Sequence, residues 1–480
     1  MESRNTQHAV VITTAQAAAA RRLAKQTAAP PRRMSAAAPR RAVLGGVPAA
    51  AAVALAACGT TEPAKPAATG KLVKVTYMSL GAAGSDRAKQ EADLFQSFSQ
   101  ERRDIEVEVE ATGANGWGGL KEKFIIRHTG GDPADLVMNN WGTWTDMSEG
   151  GMLAELTPYF KRDKIGLDLF IPTAIDSHSV DGKVWAMPVS MSVDALAYNM
   201  DLFDKAGLPY PPVNPEDRAW TMERFLEYAQ KLTQGSEQFG FGGSYTGFGT
   251  VGVADGTYFG QLAWDDKRKK CLMDTPQFQK GLQFWLDVPN RYHVQPVGVE
   301  VTALRGGMTG DLFLTGKIGM QVTLSGYPRD RVAFRWGVAT LPYSGQGRNI
   351  SSRMWATALP AGRTPRVSQA WEVLKWLTKP ENGGRFPLVA GHSVSPLLRG
   401  GSDIAQKVRQ QESGTDPKAW LLQANYSPVS ASGMLKYAAW TKAAEELTPK
   451  WDDFRGQKIG TAEYARTATE VIDRLLGQRR

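Results

Sequence analysis

Between Val73 and Asn140 the apolar residues change their spacing from one segment to the next, and that rhythm leaves few architectures open. In "KLVKVTYMS", Val73, Val75 and Tyr77 alternate with Lys74 and Thr76, the period of a half-buried strand. In "SDRAKQEADLFQSFSQ", Ala88, Ala92, Phe95 and Phe98 fall on one helical face, with Asp86 near the positive end of the helix dipole. Ile105, Val107 and Val109 alternate with Glu106, Glu108 and Glu110 as a second strand. "LKEKFIIRHTGG" reads as a helix with a glycine stop, and "ADLVMNN" as a short, mostly apolar strand. Strand, helix, strand, helix, strand is the order of a parallel sheet covered by helices. Such sheets take ligands in the crevice beyond the carboxyl ends of their strands. Here those ends are Ser79-Leu80-Gly81 and the run Asn139 to Trp144. The second offers amides beside the indoles of Trp141 and Trp144, a combination that suits a polar ring with CH-rich faces.

The second half is again α/β. Thr221 precedes a helix that buries Met222, Phe225, Ala229 and Leu232. Thr275 with Pro276, and Thr364 with Pro365, read as two further helix starts, the second helix ending before Pro380. Trp285, Trp371 and Trp376 lie within these helices and are expected in the core. No internal repeat of fixed period is present.

Ahead of the first strand, "APRRAVLGG" leads into a weakly apolar run from Ala42 to Ala57 that stops at Cys58. Charge, apolar run and small residues are the layout of a secretory signal peptide, and the run is too short to span a hydrocarbon core of ~30 Å. Arg40-Arg41 is compatible with twin-arginine export, although any basic leader would look similar. Leu55-Ala56-Ala57-Cys58 resembles the lipobox of bacterial lipoproteins, which makes Cys58 the expected lipid attachment and residues 58–70 a flexible tether. Residues 1–33 precede an ordinary signal, and Met34 is a sensible alternative start.

Residues 1–57 hold eight of the 57 basic residues and one of the 48 acidic ones, so the remainder carries 49 against 47. That near-neutral balance argues against nucleic acid as a partner. With two cysteines in all, lipid on Cys58 leaves Cys271 without a disulfide partner. His128, His178, His293 and His392 lie far apart, so neither a metal nor a cofactor is expected. Gly247, Gly249 and Gly252 satisfy a dinucleotide-binding spacing but lack a preceding apolar strand, and "GDLFLTGKI" has Ile318 where a phosphate loop needs Ser or Thr. No nucleophile elbow or zinc-protease motif occurs.

"DGKVWAMPVSMSVDALAYNMDLFDKAGLPYPP" and the following "AWTMERFLEYAQKLT" resemble the extracellular solute-binding proteins of bacterial ABC importers, the group that includes maltose-binding protein. The matching pieces are Gly182 to Pro188, Tyr198-Asn199, Phe203 to Leu208 and Trp220-Thr221, with "FIIRHTGGDPADLVM" before them and "LFLTGKIGMQVTLSGY", "WGVATLPYSG" and "AWEVLKWLTKPE" after. The resemblance runs from residue 71 to about 390. It implies an α/β protein of two periplasmic-binding-protein-like lobes, each a mainly parallel sheet flanked by helices, joined by a hinge of several crossing segments. The first lobe is expected at 71–187 plus 336–388 and the second at 188–335 plus 389–480, with crossings near Pro188 to Asp194, Ala339 to Ser344 and Ala390 to Ser395. It further implies a monomeric, non-enzymatic protein outside the cytoplasmic membrane, delivering solute to a permease.

Sugar-binding members of that family stack rings on aromatic side chains and bind hydroxyls with polar ones. Carried over, this makes Ser79, Asn139, Trp141, Trp144, Trp264, Tyr327 and Trp355 candidate ligand contacts. Trp117, in the Gly-rich "GANGWGG", is a candidate for closing over ligand, and Asp194 for either a sugar hydroxyl or a hinge salt bridge. A carbohydrate is the expected cargo. A glycerol phosphate ester on the same fold is one alternative, and a secreted glycosidase is another.

Overall fold

A computed structural model describes residues 72–140, 144–242, 270–306, 311–323, 331–343, 352–358, 364–389, 418–424 and 439–477, with short pieces at 257–258, 261–263 and 395–397 and a few single positions. The chain opens with β1 (Val73–Ser79), α1 (Asp86–Glu101), β2 (Ile105–Ala111), α2 (Gly116–Gly130) and β3 (Leu136–Asn140). Short helices α3 (Trp144–Glu149), α4 (Thr157–Arg162) and α5 (Pro172–Asp176) follow, then a small hairpin of β4 (Ser179–Val180) and β5 (Lys183–Val184). Next come β6 (Met187–Val193), β7 (Ala195–Asn199), α6 (Met200–Ala206), α7 (Met222–Leu232), β8 (Phe239–Phe241), β9 (Thr257–Tyr258), β10 (Gln261–Leu262), α8 (Pro276–Asn290) and α9 (Val299–Arg305). Strands β11 (Ile318–Thr323), β12 (Trp336–Ala339) and β13 (Ser352–Ala358) precede helices α10 (Val367–Leu377), α11 (Pro380–Gly383), α12 (Phe386–Val389), α13 (Lys418–Ala424), α14 (Ala439–Arg455) and α15 (Thr461–Gly477).

Local chemistry accounts for the starts and stops. Ser85 caps α1 by accepting the Ala88 amide, and Thr221 and Thr275 cap α7 and α8 as expected. Gly131, at φ 88°, ends α2. Thr364 does not cap α10. Its hydroxyl bonds to the buried carboxylate of Asp135, which also accepts the Thr76 amide at 2.9 Å, and the helix starts three residues later at Val367. Gly240 permits β8 to lie against α7, because a Cβ there would fall 1.9 Å from the Ala229 carbonyl oxygen.

The strands form two principal sheets, ordered β2-β1-β3-β13-β6 and β12-β7-β11-β8. Each covers its own apolar core, one with Tyr77, Phe95, Phe124, Trp371 and Phe386, the other with Phe225, Phe241, Trp285, Met320 and Trp420. This is the expected two-lobed α/β architecture: among the described residues, β2, β1, β3 and β6 share one direction with β13 against them, and β12, β11 and β8 share one direction with β7 against them. The reason lies in the crossings. Strand β13 returns from the second lobe and therefore runs against β3 and β6, and β7 leaves the first lobe and runs against β11 and β12.

The crossings also shift the expected lobe boundaries. Strand β6 remains in the first sheet to Val193, so the change of sheet falls at Asp194 rather than at 187. Met187 and Val189 pack in the first core, Met191 and Val193 in the second. Strand β12, at 336–339, pairs with β7 in the second sheet, so the return to the first sheet lies between Tyr343 and Ser352. Leu397 packs in the first core and bridges to Phe170, whereas α13 to α15 pack in the second. Cys271 is a buried free thiol whose pKa burial pushes up to about 12, which suppresses the reactive thiolate.

Trp371 of the first core is fully buried, and its indole nitrogen donates to Asp163 at 2.7 Å. Arg162 reaches the same carboxylate at 2.9 Å and Lys375 at 3.5 Å. The Arg162 hydrogen bond, followed by those of Trp371 and the Lys375 charge, holds the Asp163 carboxyl well below the usual carboxylate range. A depressed folded pKa contributes stability that is present above the unfolded value of about 3.9 and lost as pH falls below it. Asp163→Asn should therefore cost about 1.5–3 kcal/mol in urea unfolding at pH 7 and distinctly less, though not zero, at pH 2. An equal cost at both pH values would remove charge from the explanation.

Candidate functional site

The carboxyl ends of β1, β3 and β6 point one way, and those of β8, β11 and β12 come to the start of β7 from the other lobe. Register fixes the neighbours: Trp355 of β13 stands opposite Asn140 on one side and Ser190 on the other, Thr323 opposite Ala195, and Ala339 opposite Leu196. Asp194 sits between these two rows and is fully buried.

On the first lobe, Ser79 is buried at the end of β1. Its hydroxyl donates to Glu91 of α1 and accepts the Gly81 amide at 3.0 Å, while its carbonyl accepts the Thr112 hydroxyl at 2.7 Å. Ser79 therefore stands as a support beneath the loop after β1. Asn139 is also buried; its amide nitrogen donates to the Val137 carbonyl at 3.1 Å, and its Oδ1 has no hydrogen-bond partner among the described residues. That leaves a buried acceptor beside the end of β3. Trp117 is half-buried against the first core in the opening turn of α2.

Trp144 departs from expectation. It opens α3, is fully buried in the first core and lies 5.9 Å from the His178 ring, so it offers no face to a ligand. A residue after a strand end reads as a loop position; here the chain enters a helix at once and turns the indole inward. Trp355 is placed only by its backbone in β13. Trp141, Trp264 and Tyr327 lie outside the described residues, as does Cys58.

On the second lobe the crossing is braced by α13. Gln423 donates to the Asp194 carbonyl at 2.7 Å and accepts the Leu341 amide at 2.7 Å, so one side-chain amide joins two crossing segments. Trp420, one turn earlier, donates to Thr323 at 3.3 Å, and Trp220 donates to Thr340 at 3.1 Å. Glu91 and Gln423 were absent from the candidates. Both carry a sequence signal: each is a polar side chain set in an otherwise apolar helical stripe, Glu91 between Ala88 and Phe95 and Gln423 beside Trp420. A groove of about 440 Å³ on the second lobe is lined by α7 and α8 residues including Leu226 and Phe284, with Tyr292 just beyond α8, and by none of the strand-end residues.

The pattern describing the bacterial extracellular solute-binding proteins matches residues 81–384, which begin just after β1 and include the ends of β3 and β6, the second sheet and the first two crossings. The chain belongs to that family. This solute-binding protein is 24% identical over 340 residues to the sn-glycerol-3-phosphate-binding periplasmic protein UgpB of Escherichia coli K12, covering 66% of this chain and 73% of that relative. An ABC substrate-binding protein from Listeria monocytogenes in complex with cycloalternan superposes with a TM-score of 0.65 at 20% identity, over 85% of this chain and 100% of that one. UgpB from Mycobacterium tuberculosis in complex with glycerophosphocholine gives 0.64 at 16% identity, over 85% and 99%. At these identities the structural likeness carries the fold alone. Membership makes the chain the extracytoplasmic solute-binding component of an ABC importer, and its relatives are binding proteins rather than enzymes. Among the described residues no helix is long and apolar enough to cross a membrane.

The burial of Trp144 has a measurable consequence. Trp144→Ala in this solute-binding protein should lower the unfolding free energy by about 3–5 kcal/mol, the range for emptying a large aromatic site. A cost below about 1 kcal/mol, read from chemical denaturation, would place the ring outside the core.

Proposed function

We propose that the protein captures a carbohydrate in the crevice between its lobes and passes it to the importer's permease. The observation that carries this reading is the chemistry of the buried strand ends. Among the described residues these carry hydroxyls, amides and a carboxylate, with Ser79 and Asn139 on one side and Asp194, Thr323 and Thr340 on the other. Sugar hydroxyls both donate and accept, so they match such a lining, and the open acceptor of Asn139 calls for a donor. A phosphodiester calls instead for cationic donors without a carboxylate partner. Arg87, one cation at this end of the first lobe, pairs with Glu91 at 3.2 Å.

The likeness to glycerol-3-phosphate- and glycerophosphocholine-binding proteins supports a second reading, in which the cargo is a glycerol phosphate ester. In either case, Cys58 would carry lipid after export and the segment to residue 70 would tether a monomeric receptor beside its transporter, with multiple acyl chains needed for a firm anchor.

Thermal unfolding against maltose, maltotriose, cellobiose and mannobiose, with glycerophosphocholine and glycerol 3-phosphate as counter-probes, separates the two readings. At a hundredfold excess over Kd a true ligand adds about 2.7 kcal/mol. Stabilisation by a saccharide, with no product released, is the expected result. Stabilisation by the phosphate esters alone would replace the carbohydrate, and release of hydrolysed sugar would make the protein an enzyme.

A further inference from the structure

Glu91 has no solvent exposure, and its carboxylate lies at the carboxyl end of β1 on the otherwise apolar face of α1. Ser79 Oγ donates to one carboxylate oxygen and Arg87 Nε to the other at 3.2 Å. Arg87 is held in turn by a contact of its terminal nitrogen with Met138 Sδ at 3.3 Å. From Ser79 the connection continues outward: its oxygen holds the Gly81 amide, Thr112 Oγ1 donates to its carbonyl, and the Gly113 amide donates to the Gly81 carbonyl at 3.0 Å. One buried carboxylate thus supports the loop after β1 and, through it, the loop after β2 that leads into Trp117.

The proton decides how that support works. An ionised carboxylate can only accept, so Ser79 must donate to it and keeps its lone pairs for the Gly81 N–H. A protonated Glu91 becomes a donor to the same serine oxygen, so that the Ser79 proton must turn elsewhere and the hydroxyl reorients under the Gly81 N–H, and the ion pair with Arg87 is lost. Around the carboxylate, β1 presents Ser79 and β3 presents Met138, while α12 sets Phe386 against Phe95 of the same helix; the charge acting on it is that of Arg87.

Burial pushes the Glu91 carboxyl above the ordinary glutamate range, against the opposing pull of Ser79 and Arg87. A raised folded value means that the folded state binds the proton more tightly than the unfolded chain. The contribution to stability therefore falls as pH rises through that value, and above it the ionised group is a cost to the fold. A glutamine would fill the same space without that cost.

We infer that Glu91 is a positioning residue of the solute site, whose ionised carboxylate orients Ser79 and so fixes the two loops bordering the crevice. The inference rests on the crevice reading given above, and its test has one arm that needs no solute. In the full chain, the amide exchange protection of Gly81 and Gly113 should fall as pH is lowered from 8 to 4, beyond the intrinsic pH effect on exchange. Glu91→Gln should abolish that titration while its thermal midpoint at pH 7 equals or exceeds that of the parent. In the second arm, the affinity for maltotriose, or for glycerophosphocholine if that is the probe bound, should drop about tenfold over the same pH range in the parent and stay flat in E91Q. A parent-like pH profile in E91Q, or loops that titrate while the affinity of the bound probe does not, would overturn the inference. Binding of neither probe would count against the solute classes, and the exchange arm alone would then decide the role of Glu91.

Discussion

The structure depends on one extended segment that belongs to both lobes. From Met187 through Asp194 to the end of β7, almost every residue is buried, first in one sheet and then in the other. Buried backbone must find hydrogen-bond partners, and Asp194 stands where the chain leaves one strand before entering the next. Gln423 supplies one, and by accepting the Leu341 amide it ties the outgoing crossing to the incoming one. The C-terminal helices of the second core are thereby connected to the point about which the lobes are joined.

The same segment explains the sense of the strands. A chain that leaves the first lobe along β6 and returns along β13 places antiparallel neighbours in a sheet whose other members run in parallel. Carboxyl ends from both lobes then converge on the crossing. Polar side chains at those ends are held by the protein itself: Ser79 by Glu91 and Gly81, Thr340 and Thr323 by indole donors to their carbonyls. These groups are thus held in place by the protein's own hydrogen bonds, the condition a pre-organised lining for the proposed solute would need.

Much of this was legible in the sequence. The period-two strands β1 and β2, the helical stripe of α1, the Thr221 and Thr275 caps and the switch near Pro188 to Asp194 follow from spacing and from the order of family pieces. Long-range partners were not. Thr364 reads as a helix cap until Asp135, more than two hundred residues earlier, claims its hydroxyl. Ser79 reads as a ligand contact because it ends a strand, and nothing local shows that Glu91 occupies it. "WGVA" has the pattern of a strand in either lobe, and only pairing with β7 decides which. Trp144 misleads for a related reason, since solvent exposure after a strand end depends on how quickly the next helix begins.

Two separately cored lobes, joined at Asp194, are expected to close on a captured solute. Small-angle X-ray scattering of the protein with and without the solute that stabilises it tests this most directly. A saturable decrease in radius of gyration, with half-effect at the solute concentration that half-saturates binding, is the predicted result. Saturated binding with an unchanged scattering profile would contradict closure about the crossing.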